Sequence, residues 1–275
     1  MKHTDASADI HGAGDGGMRL DLPPGFELVS LREGGDAFTY AQEIASQRGA
    51  GTLVWVKRFD LVEFAVVLEP DEPLATARRA LFAGMCAMAD SLAVHCPPEK
   101  PIHFHWPDAI LFDHGLIGGA RLAWPKGAAE DQPPEWLVFA GMIRTAVIRN
   151  RENAVAAPPK ESTEPGTWSI GTALNEEGFD DINSGAIVES FTRHLMLHLN
   201  AWSERGFHRV GREWLARLPE DKSLKRGLDA NGDLLTQNAA SVHLAGDASS
   251  HAPRDLLAAL ASLAWYDSDT QEPKL

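Results

Sequence analysis

Residues 102–125 have the sequence IHFHWPDAILFDHGLIGGARLAWP, in which two apolar runs are joined at residues 113–115 by Asp-His-Gly. These three residue types tolerate positive φ angles and favour a tight turn between antiparallel strands. The stretch therefore predicts a β-hairpin. It also contains a Trp-Pro pair that begins at Trp106 and two adjacent glycines, Gly118 and Gly119.

The rest of the chain alternates between β-prone runs and amphipathic runs. Runs of β-branched and aromatic residues predict strands, whereas apolar residues at steps of three and four predict helices with one buried face. Gly49 and Gly206 are placed to end two of these helices. Besides the hairpin, the expected elements are a strand at 26–31, a helix at 36–48, a hairpin at 52–69, a helix at 73–95, a strand at 136–148, a loop at 150–168, helices at 183–206 and 210–218, a hairpin at 227–235 and a terminal helix at 252–266.

This order of elements predicts an α/β (α+β) fold in which helices pack on a mixed, largely antiparallel sheet. Hairpins outnumber strand–helix–strand crossovers and no G-x-G-x-x-G follows a strand, so a Rossmann domain is disfavoured. A length of 275 residues suits one main core. We expect a disordered tail over 1–17, a main domain over 18–220, and a small C-terminal module, a hairpin plus a helix, over 221–275.

Composition disfavours several classes of partner and location. The net charge of −14, from 39 acidic and 25 basic residues, repels polyanions and predicts no nucleic-acid partner. No run approaches the roughly 18 uninterrupted apolar residues of a membrane helix, so we expect no membrane association. Residues 1–17 lack the apolar core of a secretory signal, which predicts a cytoplasmic protein. Two cysteines, Cys86 and Cys96, are too few for a disulfide framework.

Two stretches resemble motifs of a known family. Residues 105–110, His-Trp-Pro-Asp-Ala-Ile, and residues 115–120, Gly-Leu-Ile-Gly-Gly-Ala, are similar to the Lys-Trp-Pro-Asn-Asp-Ile and Lys-(Leu/Ile)-x-Gly-(Gly/Ile) pair that biotin protein ligases carry on consecutive strands. The elements between residues 26 and 148 occur in the order of the ligase catalytic core. Residues 206–214 resemble its closing helical region, and residues 227–235 resemble its small C-terminal β module. The chain thus resembles the biotin/lipoate protein ligase family.

The resemblance implies the class II ligase fold and the chemistry of that family. These enzymes use ATP, with Mg²⁺, to convert biotin or lipoate to an acyl-adenylate, and they pass the acyl group to a lysine of a biotinyl or lipoyl carrier domain. The expected ligand is therefore a small-molecule carboxylic acid. On this basis Gly118 and Gly119 let the backbone approach the ligand, Trp106 walls an apolar pocket, and Asp108 stands where the family has its Asn.

The chain departs from the family at positions that carry chemistry. Gly115 stands at the position of the family's catalytic lysine, and His105 replaces the lysine of the Trp-Pro motif. The Gly-Arg-Gly-Arg-Arg-Gly loop that folds over adenylate is absent, which leaves Lys57 and Arg58 near the tip of the first hairpin. Arg121 follows the glycine pair and is the candidate replacement for the missing cation, because arginine binds phosphate bidentately.

The candidate site residues therefore fall into two groups. Arg121 and Asp108 are the candidate catalytic residues. The candidate ligand-binding residues are Lys57, Arg58, His105, Trp106, Gly115, Gly118 and Gly119. The simpler interpretations are that Trp106 is a core aromatic residue and that the glycine pair is a β-bulge.

Histidine pairs at 103/105 and 194/198 have a spacing that suits metal ligands, but without a clear third ligand we expect no structural metal. Two functions from different classes stay open. The first, which we prefer because of the hairpin from Trp106 to Gly119, is an atypical ATP-dependent ligase that forms an acyl-adenylate and transfers biotin, lipoate or a related acid to a carrier-protein lysine. The second is a non-catalytic binder of a biotin-like molecule or of a protein partner, which the missing lysine and loop favour.

Overall fold

A seven-stranded sheet forms the centre of the fold. The computed structural model describes residues 20–97, 100–147, 171–179, 182–239 and 252–275. The strands of the central sheet are β1 (Glu27–Leu31), β2 (Thr52–Val56), β3 (Leu61–Leu68), β4 (Ile102–His105), β5 (Ala109–Phe112), β6 (Gly115–Ala123) and β7 (Leu137–Arg144). Two small hairpins follow, formed by β8 (Leu224–Leu228) with β9 (Leu234–Asn238) and by β10 (Tyr266–Asp267) with β11 (Glu272–Pro273). The helices are α1 (Ala37–Arg48), α2 (Leu74–Ala77), α3 (Ala80–Ala93), α4 (Ser184–Arg205), α5 (His208–Leu215) and α6 (Leu256–Leu260).

The strand order of the central sheet is β1-β2-β3-β7-β6-β5-β4. Only β1 and β2 pair in parallel, since α1 crosses between them, and the other neighbours are antiparallel. The predicted mixed, largely antiparallel sheet with packed helices is confirmed.

Helices α3, α4 and α5 cover one face of the sheet. Their apolar side chains join those of the sheet in the largest core cluster, which contains Phe64, Phe82, Phe139, Phe191 and Trp214. The ring centroids of Phe64 and Phe191 are 4.3 Å apart, and those of Phe82 and Trp214 are 4.8 Å apart. Aromatic side chains bury large areas and favour such tilted contacts, so this layer supplies most of the hydrophobic core.

Helix α1 covers part of the opposite face. It begins where the Asp36 side chain accepts a hydrogen bond of 3.0 Å from the backbone N–H of Thr39, and it ends at Gly49, which has a φ of 76°. Its buried residues Ala37, Ala41 and Ala45 recur every fourth residue along one face. Small side chains on this stripe let the helix pack closely on β2 and β3.

Two predicted elements are divided in the structure. The helix expected over 73–95 is split into α2 and α3, because the chain tightens at Arg78 and Arg79 into hydrogen bonds that span three residues. The hairpin expected over 102–125 has three strands. Its turn at Asp113 and His114, with φ of 46° and 72°, is confirmed, but Pro107 lies in an additional turn between β4 and β5.

The terminal helix predicted over 252–266 is wrong in its extent. Only Leu256–Leu260 is helical. The chain then turns, because Trp265 is drawn into the core of the protein and is fully buried. Burial of a tryptophan outweighs the small propensity of the intervening residues to continue a helix.

Some predictions fall outside the described residues, namely the tail at 1–17 and the loop at 150–168. The predicted hairpin around 227–235 is present as β8 and β9. The division of the chain at residue 220 stays a prediction. None of the helices in the described ranges is long and apolar enough to cross a membrane.

Candidate ligand-binding site

Residues 263–275, here called the C-terminal segment, cover the part of the sheet face that α1 leaves open. Tyr266 pairs with Pro273 in the small β10–β11 hairpin, and this hairpin holds Trp265 against the sheet. The residues packed around the Trp265 indole are Leu61, Ala109, Leu116, Met142 and Tyr266. The segment therefore forms a second, smaller core on the side of the sheet opposite the main helical layer.

A row of four residues forms the floor beneath this segment. Glu63 on β3 is opposite Met142 on β7, Met142 is opposite Gly119 on β6, and Gly119 is opposite Ala109 on β5. Residues in register on neighbouring strands share one face of a sheet, at about 4.8 Å per strand. The row thus has the acid Glu63 at one end and Ala109 at the other, with Met142 and Gly119 between them.

The hollow expected beside the glycine pair is filled by Trp265. A Cβ atom on Gly119 would overlap the Trp265 indole, so the indole lies directly against the backbone of β6. Gly118 points to the other side, where a Cβ atom would overlap the carbonyl of Met142. Both positions require glycine because another group lies against the backbone there, but only Gly119 faces the recess.

Arg121 lies at the edge of the recess between two aromatic rings. Its guanidinium carbon is 4.0 Å from the ring centroid of Phe38 and 4.7 Å from that of Tyr266. A cavity of about 10 Å³ separates it from Glu63, and Met142 and Trp265 also line this cavity. That volume is the space of a single water molecule, so Trp265 occupies nearly all of the recess.

Two arginines hold a carboxylate of the C-terminal segment. Arg58 Nη2 donates to Glu272 Oε1 at 2.5 Å, and Arg144 Nη1 donates to Glu272 Oε2 at 3.1 Å. Arg144 also donates to the carbonyl of Pro273, and Arg58 also binds Asp60 at 2.6 Å. Arg144 is two residues from Met142 on β7, about 7 Å along the strand. An apolar recess and a pair of carboxylate-binding guanidinium groups are therefore adjacent.

Two buried acids flank the recess. Burial raises the pKa of Glu63 to about 7, and the hydrogen bond of 2.8 Å that Glu63 accepts from Ala37 N–H offsets only part of this rise. Burial likewise raises the pKa of Asp108 to about 7, with a smaller opposing effect from Trp265. Both groups therefore change protonation near neutral pH, where a protonated carboxyl can donate a hydrogen bond.

Four of the predicted site residues come together here. Arg121, Gly119 and Asp108 border the Trp265 indole, and Arg58 binds Glu272. Trp106 does not join them. It belongs to the main core, where its ring centroid is 5.8 Å from that of Trp214. The predicted wall of the ligand pocket is therefore a core aromatic residue of the helical side.

The remaining predicted residues lie elsewhere. Lys57 is exposed at the turn after β2. Gly115, at the start of β6, packs against Thr172, with which a Cβ atom would collide at 2.5 Å. His105 ends β4 and is half-buried, and burial followed by the charge of Arg254 lowers its pKa. The roles predicted for these residues stay predictions.

The sequence interpretation missed Glu63, Arg144, Trp265 and Glu272. Glu63 had a signal, since it is the single acid within the apolar run LVEFAVVL and such positions are seldom buried without a reason. Trp265 and Glu272 had none, because no local pattern tells which distant strand a C-terminal side chain will meet.

Comparison with known proteins identifies the family. The profile of the biotin/lipoate A/B protein ligase family matches residues 22–216. The chain belongs to this family. The match spans the central sheet and helices α1 to α5, and it includes the β5–β6 turn on which the sequence resemblance rested.

Individual relatives agree with this assignment. A biotin–[acetyl-CoA-carboxylase] ligase of Paracoccus denitrificans is 25% identical over 234 residues, which are 80% of this chain and 89% of the relative. A biotin protein ligase-like protein of unknown function from Silicibacter sp. TM1040 superposes with a TM-score of 0.69 at 22% identity, over 88% of this chain and 99% of the other. The biotin protein ligase of Aquifex aeolicus, solved with biotin and ATP, has a TM-score of 0.55 at 14% identity, over 78% of this chain and 92% of the other. Both solved structures share the fold of this chain.

The arginine side chains at the site hold a carboxylate in this structure. Arg58 and Arg144 each donate one hydrogen bond to a different oxygen of the Glu272 carboxylate, and hydrogen bonds between charged groups are the strong ones in proteins. The β2–β3 connection contains only residues 57–60, and its arginine is engaged by Asp60 and Glu272. Within the described ranges, no group of three or more His, Cys, Asp or Glu side chains is arranged to hold a metal ion. Arg58, Arg121 and Arg144 supply cations of the kind that bind phosphate, and Mg²⁺ is commonly held through substrate phosphates rather than by an all-protein site.

Proposed function

We propose that this member of the biotin/lipoate ligase family is a non-catalytic binder of a small carboxylic acid. The apolar part of the acid lies over Gly119 and Met142, and its carboxylate binds Arg58 and Arg144. The observation that supports this proposal is the Glu272 carboxylate, which these two arginines hold next to the recess. Because Gly115 replaces the family's lysine and the adenylate loop is absent, the bound acid is not activated.

The competing function is ATP-dependent transfer of biotin, lipoate or a related acid to a lysine of a carrier domain. It is favoured by family membership and by the gathering of Arg58, Arg121 and Arg144 on one sheet face. In that case Arg121 would stabilise the charge that develops on the phosphate. It would have to leave the Phe38 and Tyr266 rings to do so.

Two measurements separate these functions. Octanoate, lipoate and biotin are added to the full chain while thermal unfolding is followed, and octanamide serves as the uncharged control. We expect at least one acid to raise the melting temperature, because a ligand at a hundredfold excess over its Kd stabilises the folded state by about 2.7 kcal/mol. We expect octanamide to have no effect. ATP–pyrophosphate exchange with the same acids should stay at background. Exchange that is lost in Arg121→Ala would instead establish the ligase.

A further inference from the structure

The C-terminal segment has the two features that the proposed site requires of a ligand. Trp265 supplies a flat apolar group that is 0% exposed and lies against Gly119. Glu272 supplies a carboxylate between Arg58 and Arg144. The two groups are carried by one short hairpin, with Asp267 opposite Glu272 and Tyr266 opposite Pro273. The C-terminal segment thus fills the recess and also binds the arginine pair.

Side chains, rather than sheet pairing, hold this segment in place. Its backbone hydrogen bonds are internal, as in the bond of 2.8 Å from Lys274 N–H to the Trp265 carbonyl. Within the described ranges, no backbone-to-backbone hydrogen bond joins residues 263–275 to the central sheet. The β10 and β11 strands have two residues each. The segment can therefore leave without breaking a strand pair of the sheet.

We infer that the C-terminal segment is an internal ligand that closes the site until an external acid replaces Trp265 and Glu272. This inference rests on the proposed function. It assigns to residues 263–275 a regulatory role, because an entering carboxylate must compete with Glu272 for the same guanidinium groups. The affinity of the site for a small acid is then set by the strength of the Glu272 contacts as well as by the recess.

The test uses the full chain and hydrogen–deuterium exchange. The variant is Glu272→Gln, which keeps the shape of the side chain and removes its charge, and the matched control is Asp269→Asn, an exposed acid on the same hairpin. The Lys274 amide reports release of the segment, because its hydrogen bond to the Trp265 carbonyl lies in a hairpin too short to persist in water once it leaves the sheet. The Arg254 amide, which bonds to the Leu234 carbonyl at 3.0 Å, reports whether the neighbouring hairpin stays folded.

We expect exchange at Lys274 to be about 10- to 100-fold faster in Glu272→Gln, since hydrogen bonds to charged groups contribute about 1.5–3 kcal/mol. Exchange at Arg254 should be unchanged, and Asp269→Asn should behave as the unmodified chain. Titration with octanoate, lipoate and biotin should show tighter binding to Glu272→Gln by a similar factor. Added acid should also speed Lys274 exchange in the unmodified chain.

Three results would overturn the inference. Equal Lys274 exchange in Glu272→Gln and Asp269→Asn would make the segment an ordinary part of the core. Acid that binds the unmodified chain and Glu272→Gln equally, without changing Lys274 exchange, would leave the proposed binding function intact and remove the regulation. A released segment with no binding of any of the three acids would refute the proposed function and the inference together.

Discussion

At the residue scale, the buried acids are the least expected feature of this protein. Asp108 is 2% exposed, and the ordinary pKa of its carboxyl is 3.8. Glu63 stands in a strand whose other members are apolar. An ionised carboxylate in such a place lowers the stability of the fold, so these two acids are candidates for a role that uses a proton or a hydrogen bond at this face.

We predict that Asp108→Asn stabilises the protein at pH 8 and not at pH 4. Burial raises the pKa of Asp108 in the folded state to about 7, so the folded state holds its proton more tightly than the unfolded state. The contribution of the protonated Asp108 carboxyl to stability is fully present below about pH 4 and is lost as the pH rises through 7. Asparagine cannot ionise, and it should recover up to about 4 kcal/mol at pH 8.

Urea unfolding at both pH values measures this difference. Asp113→Asn is the control, because Asp113 is exposed in the β5–β6 turn and asparagine tolerates its positive φ. Parallel stability curves for the unmodified chain and Asp108→Asn would show that the Asp108 carboxyl is not perturbed by burial.

At the element scale, strand β6 and the C-terminal segment depend on each other. The β6 backbone is accessible to the Trp265 indole only because residue 119 has no side chain. A Cβ atom at residue 119 would meet the indole and also the backbone carbonyl of Asp108. We predict that Gly119→Ala pushes the indole away and lowers the free energy of unfolding by about 1–3 kcal/mol, as for other overpacked cores. Gly227→Ala in β8 is the control, because a Cβ atom there has no heavy atom within 4 Å.

Urea unfolding with tryptophan fluorescence checks this prediction. The native spectrum of Gly119→Ala should shift to longer wavelength as Trp265 becomes hydrated, and that of Gly227→Ala should not. If Gly119→Ala matches the unmodified chain in both measurements, the indole does not press on β6.

At the scale of the whole molecule, local patterns were sufficient for the sheet and the main helices. The β-branched and aromatic runs of β2 and β3, the Asp36 cap of α1 and the positive φ angles at Asp113 and His114 depend on neighbouring residues, so they can be predicted from the sequence. The site was predicted less well. Trp265 and Gly119 are far apart in sequence, and a local apolar pattern does not tell whether a tryptophan continues a helix or fills a distant recess.

Removal of residues 263–275 tests how the two cores of the molecule are related. The main core lies between the sheet and α3, α4 and α5, and it contains no residue of the C-terminal segment. We therefore predict that a chain ending at Ser262 keeps its fold, with unfolding still cooperative in urea. Its free energy of unfolding should fall by about 3–5 kcal/mol, the cost typical of removing a buried tryptophan side chain.

A chain that lacks only Leu275, which is 68% exposed, is the matched control and should lose almost nothing. The chain ending at Ser262 should also bind a fluorescent apolar dye, because removal of the C-terminal segment exposes Leu61, Leu116 and Met142 on the open sheet face. If the chain ending at Ser262 instead loses its cooperative transition, the segment is part of the folding unit. A ligand could then enter the recess only through movement of the Trp265 side chain within an intact hairpin.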